Sequence, residues 1–287
     1  MGDAGGMDFD GLKAWVGRRM SVDDVASLPP VASLSATLDR ADPQPKPGDA
    51  LPPLWHWLYF LEAKPASELG PDGHPKRGGF LPPVPLPRRM WAGSRLSFQK
   101  PIPLGAAIRR DSEILKVEVK EGRTGTLVFV TVKHLIRAND TLAVDEEHDI
   151  VYRNAPNPGD PAPQPKPAPA DGSWSRGLVP DPVLLFRYSA LTFNGHRIHY
   201  DHPYVTEVEG YPGLVVHGPL QATLMLDLVR RQRPEAKVQR FSFRALSPVF
   251  ADRKITVGGR PEGSRIALWV ANDAGNLAMD GEAVLEA

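Results

Sequence analysis

Four of the eight histidines fall between positions 196 and 217: His196, His199, His202 and His217. An imidazole takes up and returns a proton near neutral pH, which suits general acid–base work. His196 and His199 sit in the segment TFNGHRIHYD (192–201), which leaves a helix and enters a loop, where a rigid scaffold tends to present reactive groups. Asn194 adds one donor group and one acceptor, enough to orient a water or polarise an oxygen. Downstream, Val215-Val216-His217-Gly218-Pro219 opens a long helix. The free N–H groups at such an end, with the positive pole of the helix dipole, form an oxyanion site. Gly218 permits close approach, and Pro219 has no N–H to lose there. An acid–base histidine, an amide and a helix-end oxyanion site together suit chemistry beside a carbonyl, with charge building on an enolate.

The elements that must hold these groups are partly visible in the pattern. Asp181-Pro182 is a cap followed by a first-turn proline, and predicts a short helix to about Phe193. The helix from Gly218 carries Leu220, Leu224, Met225, Leu228 and Val229 as a broad apolar face, with Arg230, Arg231 and Arg233 at its C-terminal end. Alternating segments at 254–257 and 265–270 predict strands, with Gly258, Gly259 and Gly263 marking a turn. In the first half, 113–119 and 127–136 read as strands around a turn at Gly122 and Gly125. Segments 31–38 and 54–63 read as weaker helices, the second dense in aromatics (Trp55, Trp57, Tyr59, Phe60).

The two halves also echo each other. Arg95-Leu96-Ser97-Phe98 recurs as Arg240-Phe241-Ser242-Phe243, and Leu142-Ala143-Val144-Asp145-Glu146-Glu147 as Leu277-Ala278-Met279-Asp280-Gly281-Glu282, in the same order. An internal duplication follows, each copy an antiparallel sheet wrapped around a buried helix. Between the copies, 156–169 holds seven prolines in fourteen positions and cannot pack a core. The expected organisation is a first half at 1–153, a connector at 154–173 and a second half at 174–287. Two further proline-rich stretches, 42–53 and 81–87, read as surface loops or as the lining of a substrate channel.

Composition narrows the classes. The 34 basic and 34 acidic residues of the 287 cancel, so no overall positive field is there to hold nucleic acid or an anionic membrane. The absence of cysteine excludes disulfides and thiolate chemistry. No apolar run is long enough to span a bilayer, and the N-terminus lacks an export-signal layout, so a cytoplasmic protein is expected.

The segment 192–201 resembles the hydratase motif of the MaoC-like, or R-specific enoyl-thioester hydratase, group, in which Gly-Asp-x-Asn-Pro-x-His-x-Asp precedes a His-Gly helix start. His199 stands at the catalytic histidine of that motif and Asp201 at its last aspartate. Asn194 replaces the family aspartate, His196 its asparagine, and Arg197 its proline; His217-Gly218 matches the helix-start pair. With Arg89-Met90-Trp91-Ala92-Gly93-Ser94, the variant is closer to the branch of type 2 hydroxyacyl-thioester dehydratases and mesaconyl-C4-CoA and itaconyl-CoA hydratases.

The resemblance implies an α+β double hotdog whose second half is catalytic and whose degenerate first half makes room for the acyl group. It implies a hydro-lyase acting on an α,β-unsaturated thioester of coenzyme A or acyl carrier protein, without cofactor or metal, as monomer or homodimer. His199 would be the acid–base group, the Gly218 N–H the oxyanion donor and Asn194 the residue that orients water. His196, Arg197, Asp201, His217 and Trp91 would line the substrate. A dicarboxylic acyl group would need an arginine, and Arg88, Arg89, Arg95 and Arg197 all stand open for it. A basic rim for the carrier would come from Arg240, Arg244 and Lys254. The alternatives are a 3-hydroxyacyl-thioester dehydratase of fatty-acid synthesis and a non-catalytic thioester-binding protein. Thioester hydrolysis usually calls for a carboxylate that Asn194 cannot supply, and the spacing 196, 199, 202 puts no clear metal-ligand pair on one helix face.

Overall fold

The computed structural model describes residues 9–122, 125–154 and 164–286. Ten strands form one antiparallel sheet: β1 (Arg19–Val25), β2 (Arg88–Phe98), β3 (Ala107–Gly122), β4 (Gly125–Ala138), β5 (Thr141–Arg153), β6 (Trp174–Leu178), β7 (Val238–Ala245), β8 (Ile255–Glu262), β9 (Arg265–Ala271) and β10 (Leu277–Leu285). Their order is β1-β3-β4-β5-β2-β7-β10-β9-β8-β6. The first five positions repeat as the last five in mirror order, so within the sheet the two halves join at β2 and β7. At that seam Leu96 stands opposite Phe241, the second residues of the two copies of the repeated tetrapeptide. The other repeated segments lie on β5 and β10, next to the seam strands. Of the proline-rich connector, 155–163 lies outside the described residues. Beyond it, Ala168 N–H donates to the Gly275 carbonyl and ties the chain to the second half.

Three α-helices serve this sheet: α1 (Leu28–Thr37), α2 (Pro182–Leu191) and α3 (Gly218–Gln232). Residues 220–229 of α3 are all buried, on every side of the helix. Each of its larger apolar side chains contributes about 1.5–3 kcal/mol by leaving water. Three polar residues, Gln221, Thr223 and Asp227, go in with them. Asp227 accepts from Arg40 (2.5 Å), Arg176 (2.6 Å) and Arg231 (2.7 Å). Arg176 and Arg231 also hold the Leu38 carbonyl just past α1, so this clamp binds the first half to the central helix of the second. In α2, Asp181 Oδ1 accepts the Leu184 N–H at 2.7 Å, the N-cap its sequence announces.

Three expectations are corrected. Segment 54–63 is not a helix: only Trp55–Leu58 makes a 3₁₀ turn, with Leu54 (φ 70°) and Phe60 (φ 60°) in the left-handed region on either side. Its aromatics are buried in several directions, and the Phe60 N–H is held by Asp24 rather than by a helical carbonyl. The first half therefore has no counterpart of α3 at this segment. Gly258 and Gly259 lie inside β8, and the turn is at Gly263 (φ 64°). A Cβ on Gly258 would stand 2.2 Å from the Trp269 ring, so glycine is there to admit the indole. Stretch 81–87 is not a bare surface loop either, since Val84 and Leu86 are fully buried beneath the first-half sheet.

Candidate active site

The loop after α2 is fixed at several points. Asn194 N–H donates to the Ser189 carbonyl, and Phe193 adopts a left-handed conformation (φ 48°) to turn the chain off the helix. Asn194 Oδ1 accepts the His196 N–H at 3.0 Å, so its carbonyl oxygen shapes the loop, leaving the amide NH₂ as the part free to meet a ligand. Asp201 accepts from Arg197 Nε (2.8 Å) and from the Tyr204 N–H (3.1 Å). These bonds set up the short 3₁₀ turn Arg197–His199.

His199 is 7% exposed. Its Nδ1 lies 2.7 Å from the Val215 carbonyl. A carbonyl only accepts, so Nδ1 carries the hydrogen and Nε2 keeps its lone pair. The ring stacks on that of His217, centroids 3.6 Å apart and 20° from parallel. His217 is fully buried, pairs through Nε2 with Ser189 Oγ at 2.8 Å, and immediately precedes Gly218, the first residue of α3. The N–H of a first helical residue has no intrahelical acceptor. Burial pushes the His199 imidazole down to about 4, only partly opposed by the Val215 bond, and takes His217 well below its usual value. Both rings are thus neutral at pH 7.

The first half reaches into this site. The Asp72 carbonyl accepts the Arg197 N–H, and Arg197 Nη1 donates to the Pro71 carbonyl. The His74 ring lies 4.1 Å from that of His196, which is edge-on to His199 at 5.4 Å. Asp72 Oδ2 meets His74 Nδ1 at 3.3 Å. Burial would raise the Asp72 carboxyl, but the His74 bond outweighs it and holds the group below the carboxylate range. Burial takes His196 down to about 2. One ligand-type atom each from Asp72, His74 and His196 lies within 4.8 Å of the others, so the compact set differs from 196, 199 and 202; His202 is exposed. The Asp72–His74 bond and the His74–His196 ring contact account for that closeness. Asp72 and His74 escape a sequence reading because nothing in DGHP forecasts a contact with a loop more than a hundred residues away.

A second polar cluster lies inside the first half. Glu146, 2% exposed, accepts from His56 Nε2 (3.0 Å), Trp57 Nε1 (3.2 Å) and Ser94 Oγ (3.1 Å). Burial would raise this carboxyl; the His56 bond and the neighbouring imidazoles outweigh it and bring it to about 2. Trp91 packs at 4.8 Å on Trp57 and at 4.0 Å on His148, on the wall of the first half. Arg244 pairs with Asp280 on the exposed sheet surface.

Two curled half-sheets joined edge to edge, with a buried helix running from a histidine pair, define a double hotdog. A protein of Mycobacterium tuberculosis described as having a double hotdog fold superposes with a TM-score of 0.60 over 97% of this chain and 98% of its own, at 14% identity. The family profile for hydroxyacyl-thioester dehydratase type 2 matches residues 54–251. Mesaconyl-C(4)-CoA hydratase of Chloroflexus aurantiacus is 47% identical over 93% of this chain and 95% of its own. The mitochondrial type 2 hydroxyacyl-thioester dehydratase of Schizosaccharomyces pombe is 29% identical over 88% and 92%. The chain belongs to the type 2 hydroxyacyl-thioester dehydratase family, and it is an enzyme of the hydratase and dehydratase class. No helix among the described residues is long and apolar enough to cross a membrane.

Proposed function

We propose that the protein hydrates a short α,β-unsaturated acyl-CoA, with the C4 thioester of mesaconate as its best candidate, and that His199 moves both protons. The observation that carries this reading is the bond from His199 Nδ1 to the Val215 carbonyl, which leaves a buried, neutral Nε2 as a base beside the start of α3. Nε2 takes a proton from water as the water oxygen bonds to the β-carbon. The electron pair of the double bond moves toward the thioester oxygen, which receives the Gly218 N–H. The enolate then collapses, and its α-carbon takes the proton back from His199. H and OH are added, and the imidazole is restored. A conjugate acid this strong returns its proton readily.

The Asn194 amide NH₂ orients the water, and His196 and Asp201 shape the loop; His217 supports the His199 ring. In this reading 1–153 receives the acyl group, 174–287 supplies the reacting groups, and the enzyme works in the cytoplasm as a monomer or homodimer. The relative of known name at 47% identity supports the substrate. The test is a panel of mesaconyl-C4-, itaconyl- and crotonyl-CoA followed by loss of the conjugated thioester absorbance. Hydration of the first with no loss in His199→Ala sinks the assignment of the base, and no turnover of any sinks the reading.

A further inference from the structure

Four arginines stand open in the sequence as partners for a free carboxylate, and the structure separates them. Arg88 pairs with Glu209 (3.4 Å) and lies over the Tyr211 ring. Arg95 is exposed and pairs with Glu147 (2.9 Å) and Asp149 (2.6 Å). Arg197 pairs with Asp201 (2.7 Å) and lies over Tyr204. Arg89 is half-buried and has no ion pair among the described residues. A partly buried cation without a counter-ion is costly unless an anion arrives.

Its surroundings are donors rather than acceptors. Arg89 stands opposite Tyr152 in the β2–β5 ladder, and two residues before Trp91. Residues two apart on a strand share a face, so Arg89 and Trp91 point the same way, as do His148 and Tyr152 on β5. The 4.0 Å contact between Trp91 and His148 joins those faces into one wall. On it the Tyr152 hydroxyl and His148 Nε2 are buried with no hydrogen-bond partner. Arg89 lies beside that hydroxyl and holds the phenol down against its burial, and its charge also reaches His74 and His196. Arg77, over the Tyr152 ring at 5.5 Å, is held by the carbonyls of Val84, Leu86 and Pro87 and adds positive field. The nearby acids are already engaged: Asp72 by His74, Glu146 by His56, and Asp149 by Arg95.

We propose that Arg89, with the Tyr152 hydroxyl and His148 Nε2, forms a carboxylate subsite that makes the enzyme selective for dicarboxylic monothioesters. The inference rests on the hydratase reading above. In such an unsaturated four-carbon acyl group the free carboxylate is carried on the β-carbon, the atom that receives water. Its anchor must therefore lie close to the base. Arg88, the residue before Arg89 on β2, donates to the Glu209 carbonyl and lies over Tyr211 in the second half, and the Arg89 charge is felt at His196, the ring 5.4 Å from His199. The planar guanidinium takes a carboxylate through two parallel bonds, which a lysine cannot reproduce.

The test compares kcat/KM for mesaconyl-C4-CoA and crotonyl-CoA, which lacks the carboxylate, in the wild type and in Arg89→Ala, Arg89→Lys and Tyr152→Phe. Arg89→Ala is expected to lower mesaconyl-C4-CoA turnover on the order of 100-fold or more, mainly through KM, and to change crotonyl-CoA less than about five-fold. Arg89→Lys and Tyr152→Phe fall between. Where Arg89→Ala does not fold, Arg89→Lys decides by the same ratio. Equal losses on both substrates, or none on the dicarboxylic one, overturn the subsite. A wild type that hydrates crotonyl-CoA but not mesaconyl-C4-CoA overturns it too and leaves the hydratase reading standing. A wild type that turns over neither overturns the reading itself.

Discussion

The His199 ring lies flat on the His217 ring, 3.6 Å between centroids, and each is fixed at its far side, His199 by the Val215 carbonyl and His217 by Ser189. The stack takes the His199 imidazole out of water and orients it without a carboxylate partner. A carboxylate would favour the imidazolium; a carbonyl bonds Nδ1–H and leaves the ring neutral.

Replacing His199 by Ala or Gln should abolish hydration while the far-UV circular dichroism and oligomeric state stay those of the wild type. The pH profile gives the sharper reading. With the imidazole at about 4, kcat/KM should show no loss of this base between about pH 6 and 8 and should fall only on approach to that value. A base limb near the ordinary histidine value would mean that the ring is wetter than its burial implies.

Gly218 offers a test that leaves the fold alone. A Cβ there would meet only the Met279 methyl, at 4.0 Å, an ordinary contact. Gly218→Ala should therefore keep the unfolding midpoint. It should lower kcat on the order of 10- to 100-fold by keeping the thioester oxygen off the N–H at the head of α3. An alanine variant with full kcat places the oxyanion elsewhere.

How much of this was legible in the sequence follows from what was local. The α2 cap, the start of α3 and the duplication were readable because Asp181-Pro182, His217-Gly218-Pro219 and the repeated Arg-x-Ser-Phe carry their reasons in adjacent residues. β1 and β6, the edge strands, were missed: Arg19–Val25 has three charged residues in seven and Trp174–Leu178 has five residues, so neither shows an apolar run. Segment 54–63 misled because its aromatics pack in several directions and its backbone turns left-handed twice. The cross-half partners Asp72 and His74 were invisible for a different reason. Their contact with His196 is made by the fold's closure on itself, which leaves no periodic trace.

Asp227 is the polar residue on which the two halves are clamped. Changing it to Ala leaves Arg40 and Arg176 partly buried without that acid, a loss of about 3–5 kcal/mol for a broken buried pair. At this chain length that is a fall of roughly 5–8 °C in the midpoint. Asp42 still engages Arg40, so Asp227→Asn, which keeps the shape and an acceptor, should lose less. Differential scanning calorimetry of both variants separates charge from packing; a midpoint unchanged in Asp227→Ala would show that the clamp adds nothing to stability.

Acid should weaken the fold earlier than its carboxylates alone would dictate. Burial lowers His148 and His199 to about 4, His134 to about 3 and His196 to about 2, and lowers His74 and His217 as well. In the unfolded chain each titrates near its ordinary value of about 6.5. Between that value and about 4 the unfolded state binds more protons than the native one, so stability rises with pH and is lost as pH falls through this window. Each such proton is worth about 1.4 kcal/mol per pH unit, and several act together. Glu146, held at about 2, adds a loss of the same sign below its own ordinary value. Urea unfolding at pH 7, 6 and 5 should give midpoints that drop steeply, with more than one proton taken up per chain at pH 5. His199→Gln should flatten that slope by up to one proton. A stability independent of pH over this range would mean that these imidazoles are already charged in the folded protein, and the neutral base assigned to His199 would fall with them.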